Sequence, residues 1–196
     1  MNLNTGILSD DKNMFDTGKT YLGVIFAHRP GFPEKPVADA RKIISKVFKK
    51  LDIYLVSPGV LQKNASSETS EYGTQLGAVS NYKEAKLCAE LFKKHVPRLH
   101  GLIICLANFG DERAVADVIR YAGLDVPVLV HALPDHEKKM GFGERKDAYC
   151  GKISVYSSLK QYGIPFTLTG SHVVDPVSQA FTNELKDFLK TCRIVI

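Results

Sequence analysis

The chain has 196 residues, of which 44% are hydrophobic and 24% charged, so it is long and apolar enough to bury the core of one domain. Its net charge of +5 comes from basic residues that are scattered or lie on helix faces, which argues against a nucleic-acid footprint because that needs a clustered basic face. The chain has neither the apolar run of roughly 20 residues that a membrane helix requires nor the apolar segment of a secretory signal, so we expect a cytoplasmic protein that binds neither nucleic acid nor membrane.

Five short apolar runs predict five β-strands. They are mostly continuous rather than alternating in hydrophobicity, as expected when both faces of a sheet are covered. In chain order the predicted strands are Tyr21–Ala27, Ile53–Ser57, Gly101–Ala107, Val128–Ala132 and Phe166–Thr169.

Amphipathic segments between and after these strands predict five helices. Apolar positions spaced three and four residues apart mark the first, from Val37 to Leu51. The next three are predicted over Tyr82–Val96, over Glu112–Ala122 with Gly123 as its end, and over Ala148–Tyr162 with Gly163 as its end. The fifth is predicted to begin at Asp175-Pro176, with the aspartate as N-cap and the proline at the first helical position.

Alternating strands and helices predict an α/β fold, a flavodoxin-like or Rossmann-like five-stranded parallel sheet with helices on both faces. Five strands suggest the strand order 2-1-3-4-5. We expect residues 1–19 to be a flexible lead-in and residues 20–196 to form a single domain. Two long connections, residues 58–81 and 134–146, fit either functional loops or disordered segments.

The cysteines Cys88, Cys105, Cys150 and Cys192 contain no Cys-x-x-Cys pair. Two of them, Cys88 and Cys105, fall at apolar positions of a predicted helix and strand, where cysteine behaves as a small hydrophobe. This pattern indicates a reducing compartment rather than a disulfide framework.

Ligands of open α/β sheets bind outside the carboxyl ends of the strands, near the point where the strand order reverses. Arg29 follows the first predicted strand and Asn108 the third, so the two are predicted to face each other across the crevice. The guanidinium of Arg29 suits hydroxyls, carboxylates or phosphates, although it could equally pin a neighbouring loop. Asn108 could present its amide to a polar ligand, or it could belong to a plain turn that caps the next helix.

Other candidate motifs are incomplete. The histidines His28, His131 and His172 could converge near strand ends, but they lack the spacing of a metal motif, so we predict no metal site within this chain. Phosphate-binding motifs fail as well, because Gly18-Lys19-Thr20 precedes a strand instead of following one. From the residues alone we predict no catalytic group and no cofactor site.

The segment Asp147–Phe166, DAYCGKISVYSSLKQYGIPF, resembles the N-terminal region of L-fucose/L-arabinose isomerase-type sugar isomerases. Residues 101–112, 127–130 and 170–176 also resemble this family, and so does Arg29-Pro30 after the first strand. The resemblance covers most of residues 20–196.

This resemblance implies the first domain of a longer enzyme, in which a missing C-terminal domain binds Mn²⁺ and interconverts aldose and ketose through an enediol. The metal ligands would lie outside this chain, which alone would bind sugar weakly and catalyse no isomerisation. Because fucose isomerase-like enzymes form hexamers, the resemblance also implies that the full-length protein is a homo-oligomer. Arg29 matches a plausible sugar contact, and Asn108 matches the family pattern. The apolar run Arg193–Ile196 suggests the same truncation.

Two alternatives stay open at this point. The chain could be a stand-alone α/β domain that binds a small ligand such as a sugar, with a regulatory role and no catalysis. It could also be a scaffold that mediates oligomerisation only.

Overall fold

The computed structural model describes residues 18–61, 71–141 and 143–192, and its centre is an all-parallel five-stranded sheet. The strands occur in the order β2-β1-β3-β4-β5, which confirms the predicted fold class and strand order. Of the predicted lead-in, only residues 18 and 19 fall within the described part. The strands are β1 (Thr20–Ala27), β2 (Ile53–Val56), β3 (Leu99–Leu106), β4 (Val128–Ala132) and β5 (Thr167–Leu168).

Five α-helices cover the two faces of the sheet. Helices α1 and α5 pack on one face, and α2, α3 and α4 pack on the other. A short 3₁₀ turn, Val96–Arg98, leads from α2 into β3. No helix in the described ranges is long and apolar enough to cross a membrane. The helices are α1 (Lys35–Lys50), α2 (Tyr82–His95), α3 (Glu112–Ala122), α4 (Ala148–Gln161) and α5 (Gln179–Thr191).

The central strand β3 shows why the apolar runs do not alternate with polar residues. Leu102 and Ile104 face the layer of α2, α3 and α4, whereas Ile103 and Cys105 face the layer of α1 and α5. All four side chains are fully buried. A parallel strand covered on both faces therefore needs apolar residues at every position.

Most predicted boundaries are confirmed within one or two residues. Gly123 caps α3, and Gly163 follows the C-cap of α4; their φ angles of 62° and 69° lie in the left-handed region that glycine adopts without strain. Strand β5 is shorter than predicted, with only Thr167 and Leu168 paired to β4. Thr169 lies outside the ladder, and its hydroxyl accepts a hydrogen bond from Lys152 of α4.

The predicted start of the fifth helix is wrong. Asp175 does not cap α5; its carboxylate accepts the N–H of Val177, two residues on, in an Asx turn. The helix begins three residues later because Ser178 is the N-cap, and its hydroxyl oxygen accepts the N–H of Phe181. Asp-Pro is compatible with both arrangements, so the local sequence alone did not distinguish them.

Replacing Ser178 with alanine is expected to lower the free energy of unfolding by about 1 kcal/mol, because the N–H of Phe181 loses its acceptor. The matched variant Asp175→Ala removes only an exposed turn contact and should cost clearly less. Urea denaturation of both variants measures the difference. Equal losses, or a larger loss for Asp175→Ala, would contradict the assignment of the cap.

Candidate functional site

Arg29 is the second residue after β1, at the carboxyl edge of the sheet, and three groups hold its side chain in place. Its Nε donates to the carbonyl of Gly110 at 2.8 Å, and one terminal nitrogen pairs with Glu112 at the start of α3. The guanidinium also lies 4.6 Å from the ring centroid of Phe109. The side chain is 35% exposed. Arg29 is therefore both oriented and accessible.

Asn108 follows β3 and is fully buried. Its Oδ1 accepts the backbone N–H groups of Arg29 at 3.3 Å and Gly110 at 3.2 Å. Its Nδ2 bonds to the carbonyl of Pro33 at 3.2 Å and to a ring nitrogen of His28 at 2.7 Å. The structure thus brings Asn108 into contact with the backbone of Arg29, whereas the sequence predicted that the two residues face each other across the crevice. Because protein groups already occupy both polar atoms of Asn108, this geometry gives it a positioning role behind Arg29.

The hydrogen bonds of Asn108 also define the tautomer of His28. Since Oδ1 accepts two N–H groups, the remaining amide nitrogen must donate, and Nδ1 of His28 must accept. In the neutral ring the proton therefore sits on Nε2. Burial lowers the pKa of His28, which favours this neutral form. Nε2 makes no hydrogen bond with the described residues.

His28 lines a cleft of about 240 Å³ at the carboxyl edge of the sheet. The cleft lies between the loop after β1, the segment 75–80 and the first turn of α2. The segment 75–80 is fixed to β1, because the N–H of Val79 donates to Phe26 and its carbonyl accepts from His28. Residues lining the cleft are His28, Pro30, Gly31, Phe32, Glu34, Gln75, Leu76, Ala78, Ser80 and Glu84.

Two carboxylates line this cleft, and sequence reasoning did not single out either. Glu84 accepts the backbone N–H of Ser80 at 2.9 Å and that of Gln75 at 3.2 Å. A signal for it was present, because Asn81-x-x-Glu84 is a capping-box pattern and Asn81 does cap α2. Glu34 precedes α1 and makes no side-chain cap bond. Nothing in the local sequence around Glu34 indicated a place in a cleft.

Helix α4 packs closely at Gly151 against the turn after β3 that carries Phe109. A Cβ atom on Gly151 would lie 2.0 Å from the backbone oxygen of Phe109, so only glycine allows the helix to approach this turn. The neighbouring Lys152 is fully buried, and its ammonium donates to Thr169 Oγ1 at 2.6 Å and to the carbonyl of His172 at 2.8 Å. Burial lowers the pKa of Lys152 to about 8. Lys152 therefore connects α4 to the loop after β5.

The other two candidate histidines, His131 and His172, do not line this cleft. His131 is buried in β4, where Nε2 bonds to the carbonyl of Val174 at 2.8 Å, and burial lowers its pKa to about 4. His172 lies against Tyr149, with ring centroids 4.0 Å apart. In the part of the chain that the structure describes, no three His, Cys, Asp or Glu side chains are grouped so that they could hold a metal ion.

A broader groove of about 730 Å³ lies at the opposite edge of the sheet, where α3 and α4 end. Its lining combines apolar residues with the polar side chains of Arg120, Gln161 and Tyr162. Ligands of open α/β sheets bind at the carboxyl edge, so the smaller cleft beside Arg29 is the better candidate site.

Comparison with known proteins identifies the family of this domain. Residues 23–196 match the family model described as the N-terminal domain of fucose/sulfoquinovose isomerase. No curated protein matches the chain. No solved structure matches it either. Because the family model covers most of the sequence, the chain belongs to the family of fucose/sulfoquinovose isomerase N-terminal domains.

Proposed function

We propose that this chain is the substrate-contacting first domain of a metal-dependent aldose–ketose isomerase. The observation that carries the proposal is Arg29, because its guanidinium is oriented by Gly110, Phe109 and Glu112 yet is partly exposed at the carboxyl edge. A guanidinium held in this way can donate to sugar hydroxyls with little loss of side-chain entropy. Asn108 and Gly151 fix the turn on which it depends.

The isomerisation itself needs groups that this proposal assigns to a further domain. Interconverting an aldose and a ketose moves a proton from C2 to C1 through an enediol, with a matching transfer between the two oxygens. Mn²⁺ would stabilise the developing negative charge on those oxygens, with all its ligands outside this chain. The role of this chain is to bind and orient the sugar.

Assembly and compartment are further parts of the proposal. We propose that another domain completes the site beside Arg29. That domain belongs either to the same polypeptide or to a second copy in a homo-oligomer. The cytoplasm is the compartment we propose, because all four cysteines are free thiols and two of them are fully buried.

The direct test incubates the isolated chain with Mn²⁺ and L-fucose and measures ketose formation, with sugar binding followed by NMR. We expect weak binding and no turnover. Turnover by the chain alone would contradict the division of labour proposed here. Tight binding without turnover would favour the alternative, a stand-alone domain that binds sugar and catalyses nothing.

Replacing Arg29 with alanine is expected to weaken binding of L-fucose about tenfold, the equivalent of one charge-assisted hydrogen bond. NMR titration of the chain measures the affinity. Arg120→Ala is the matched control, because Arg120 is an exposed arginine on the groove at the opposite edge. If Arg120→Ala weakened binding and Arg29→Ala did not, the site would be at the wrong edge.

A further inference from the structure

The cleft beside Arg29 is lined by one ring donor, Nε2 of His28, that has no acceptor among the described residues. His28 is 4% exposed, and Asn108 holds its Nδ1 as an acceptor, so Nε2 carries the ring proton. No described residue accepts a hydrogen bond from Nε2, although His28 lines the cleft. A ligand oxygen in the cleft would complete the hydrogen bonding of this ring.

The volume of the cleft indicates how much of a ligand it can hold. Its 240 Å³ are below the range of about 300–1,000 Å³ that is typical of ligand pockets. At roughly 30 Å³ per water molecule, the cleft has room for about eight waters. One monosaccharide, or part of one, fits this space.

The charges around the cleft are predominantly negative. Glu34 and Glu84 line it, and neither forms an ion pair with a described residue. No Lys or Arg is among the described residues that line the cleft; nearby, Arg29 pairs with Glu112 and Lys35 with Asp39. His28 adds no positive charge in its neutral form.

Two further arginines approach this region, and neither offers its charge to the cleft. Arg145 lies 5.9 Å from the ring centroid of Phe32 but pairs with Asp147. Arg41 lies behind the segment 76–78, where its donors bind the carbonyls of Pro58 and Gly77. An anionic ligand inside the cleft would therefore meet two carboxylates, and the described lining contains no Lys or Arg to balance them.

We infer that this cleft binds the hydroxyl groups of a neutral sugar and disfavours sugars that carry a sulfonate or phosphate. A sugar oxygen accepts the Nε2–H of His28, and a sugar hydroxyl donates to Glu34. Of the two sugars in the family's description, the cleft therefore selects the uncharged type over sulfoquinovose. This inference rests on the proposed sugar-binding function and specifies its substrate class.

The test compares quinovose with sulfoquinovose, which differ only by the sulfonate on C6. NMR titration of the chain at low ionic strength should show quinovose binding about threefold to tenfold more tightly, and added salt should narrow the gap. Glu34→Gln should also narrow it, because that variant removes one carboxylate from an exposed position. Asp125→Asn, an equal change of charge on an exposed residue between α3 and β4, should leave it unchanged.

Each other result has a definite meaning. Equal or tighter binding of sulfoquinovose would overturn the inference and leave the sugar-binding function in place. If Glu34→Gln left the ratio of the two affinities unchanged, the sugar would bind outside this cleft, and this result would also overturn the inference. Binding of neither sugar would overturn the inference together with the proposed substrate contact.

Discussion

Replacing Gly151 with alanine is expected to lower the free energy of unfolding by about 2–3 kcal/mol, although alanine normally stabilises a helix by about 1 kcal/mol relative to glycine. The reason is the contact between α4 and the turn after β3. The new Cβ would lie 2.0 Å from the oxygen of Phe109 and 2.6 Å from its carbonyl carbon. These are backbone atoms, which cannot rotate away as a side chain can, so the helix or the turn must move.

Chemical denaturation measures this loss, and Ser157→Ala is the matched control on the same helix. Ser157 is exposed, so alanine there should be neutral or slightly stabilising. Displacement of the turn should also disturb Arg29, since Gly110, one residue after Phe109, accepts from its Nε. We therefore expect weaker sugar binding by Gly151→Ala even where the variant is folded. A stability equal to that of the wild type would contradict the close packing.

The fold was predictable because its signals are local and repeated. Both caps that depend on glycine, Gly123 and Gly163, could be assigned from the end of an amphipathic pattern. The start of α5 could not, because Asp175 and Ser178 are both good capping residues. The choice between them depends on which turn lets Phe181 reach the core, a tertiary contact that no short window contains.

The candidate site was predictable only in part. Residues that directly follow strands, such as Arg29 and Asn108, could be placed at the carboxyl edge by topology alone. Glu34 and Glu84 could not, because they begin helices and reach the cleft only through the packing of α1 and α2. The role of Asn108 could not be predicted from the sequence either, because burial and the positions of its partners decide whether an amide bonds to a ligand or to the protein.

Replacing Asn108 with alanine is expected to lower the free energy of unfolding by about 3 kcal/mol or more, because it leaves several buried groups without partners. The N–H groups of Arg29 and Gly110 lose their acceptor, and Pro33 and His28 lose their donor. Asn81→Ala is the matched control. Asn81 is an exposed N-cap with one backbone partner, so its loss should be nearer to 1 kcal/mol.

A second measurement separates positioning from stability alone. In the wild type, ¹⁵N NMR of the imidazole should show the His28 proton on Nε2, because Asn108 donates to Nδ1. In folded Asn108→Ala that preference should weaken, and sugar affinity should fall although the variant keeps both Arg29 and His28. An unchanged tautomer and unchanged affinity would mean that Asn108 only supports the fold. A shifted tautomer with reduced affinity would establish that this buried amide sets both donors that the site offers to a sugar.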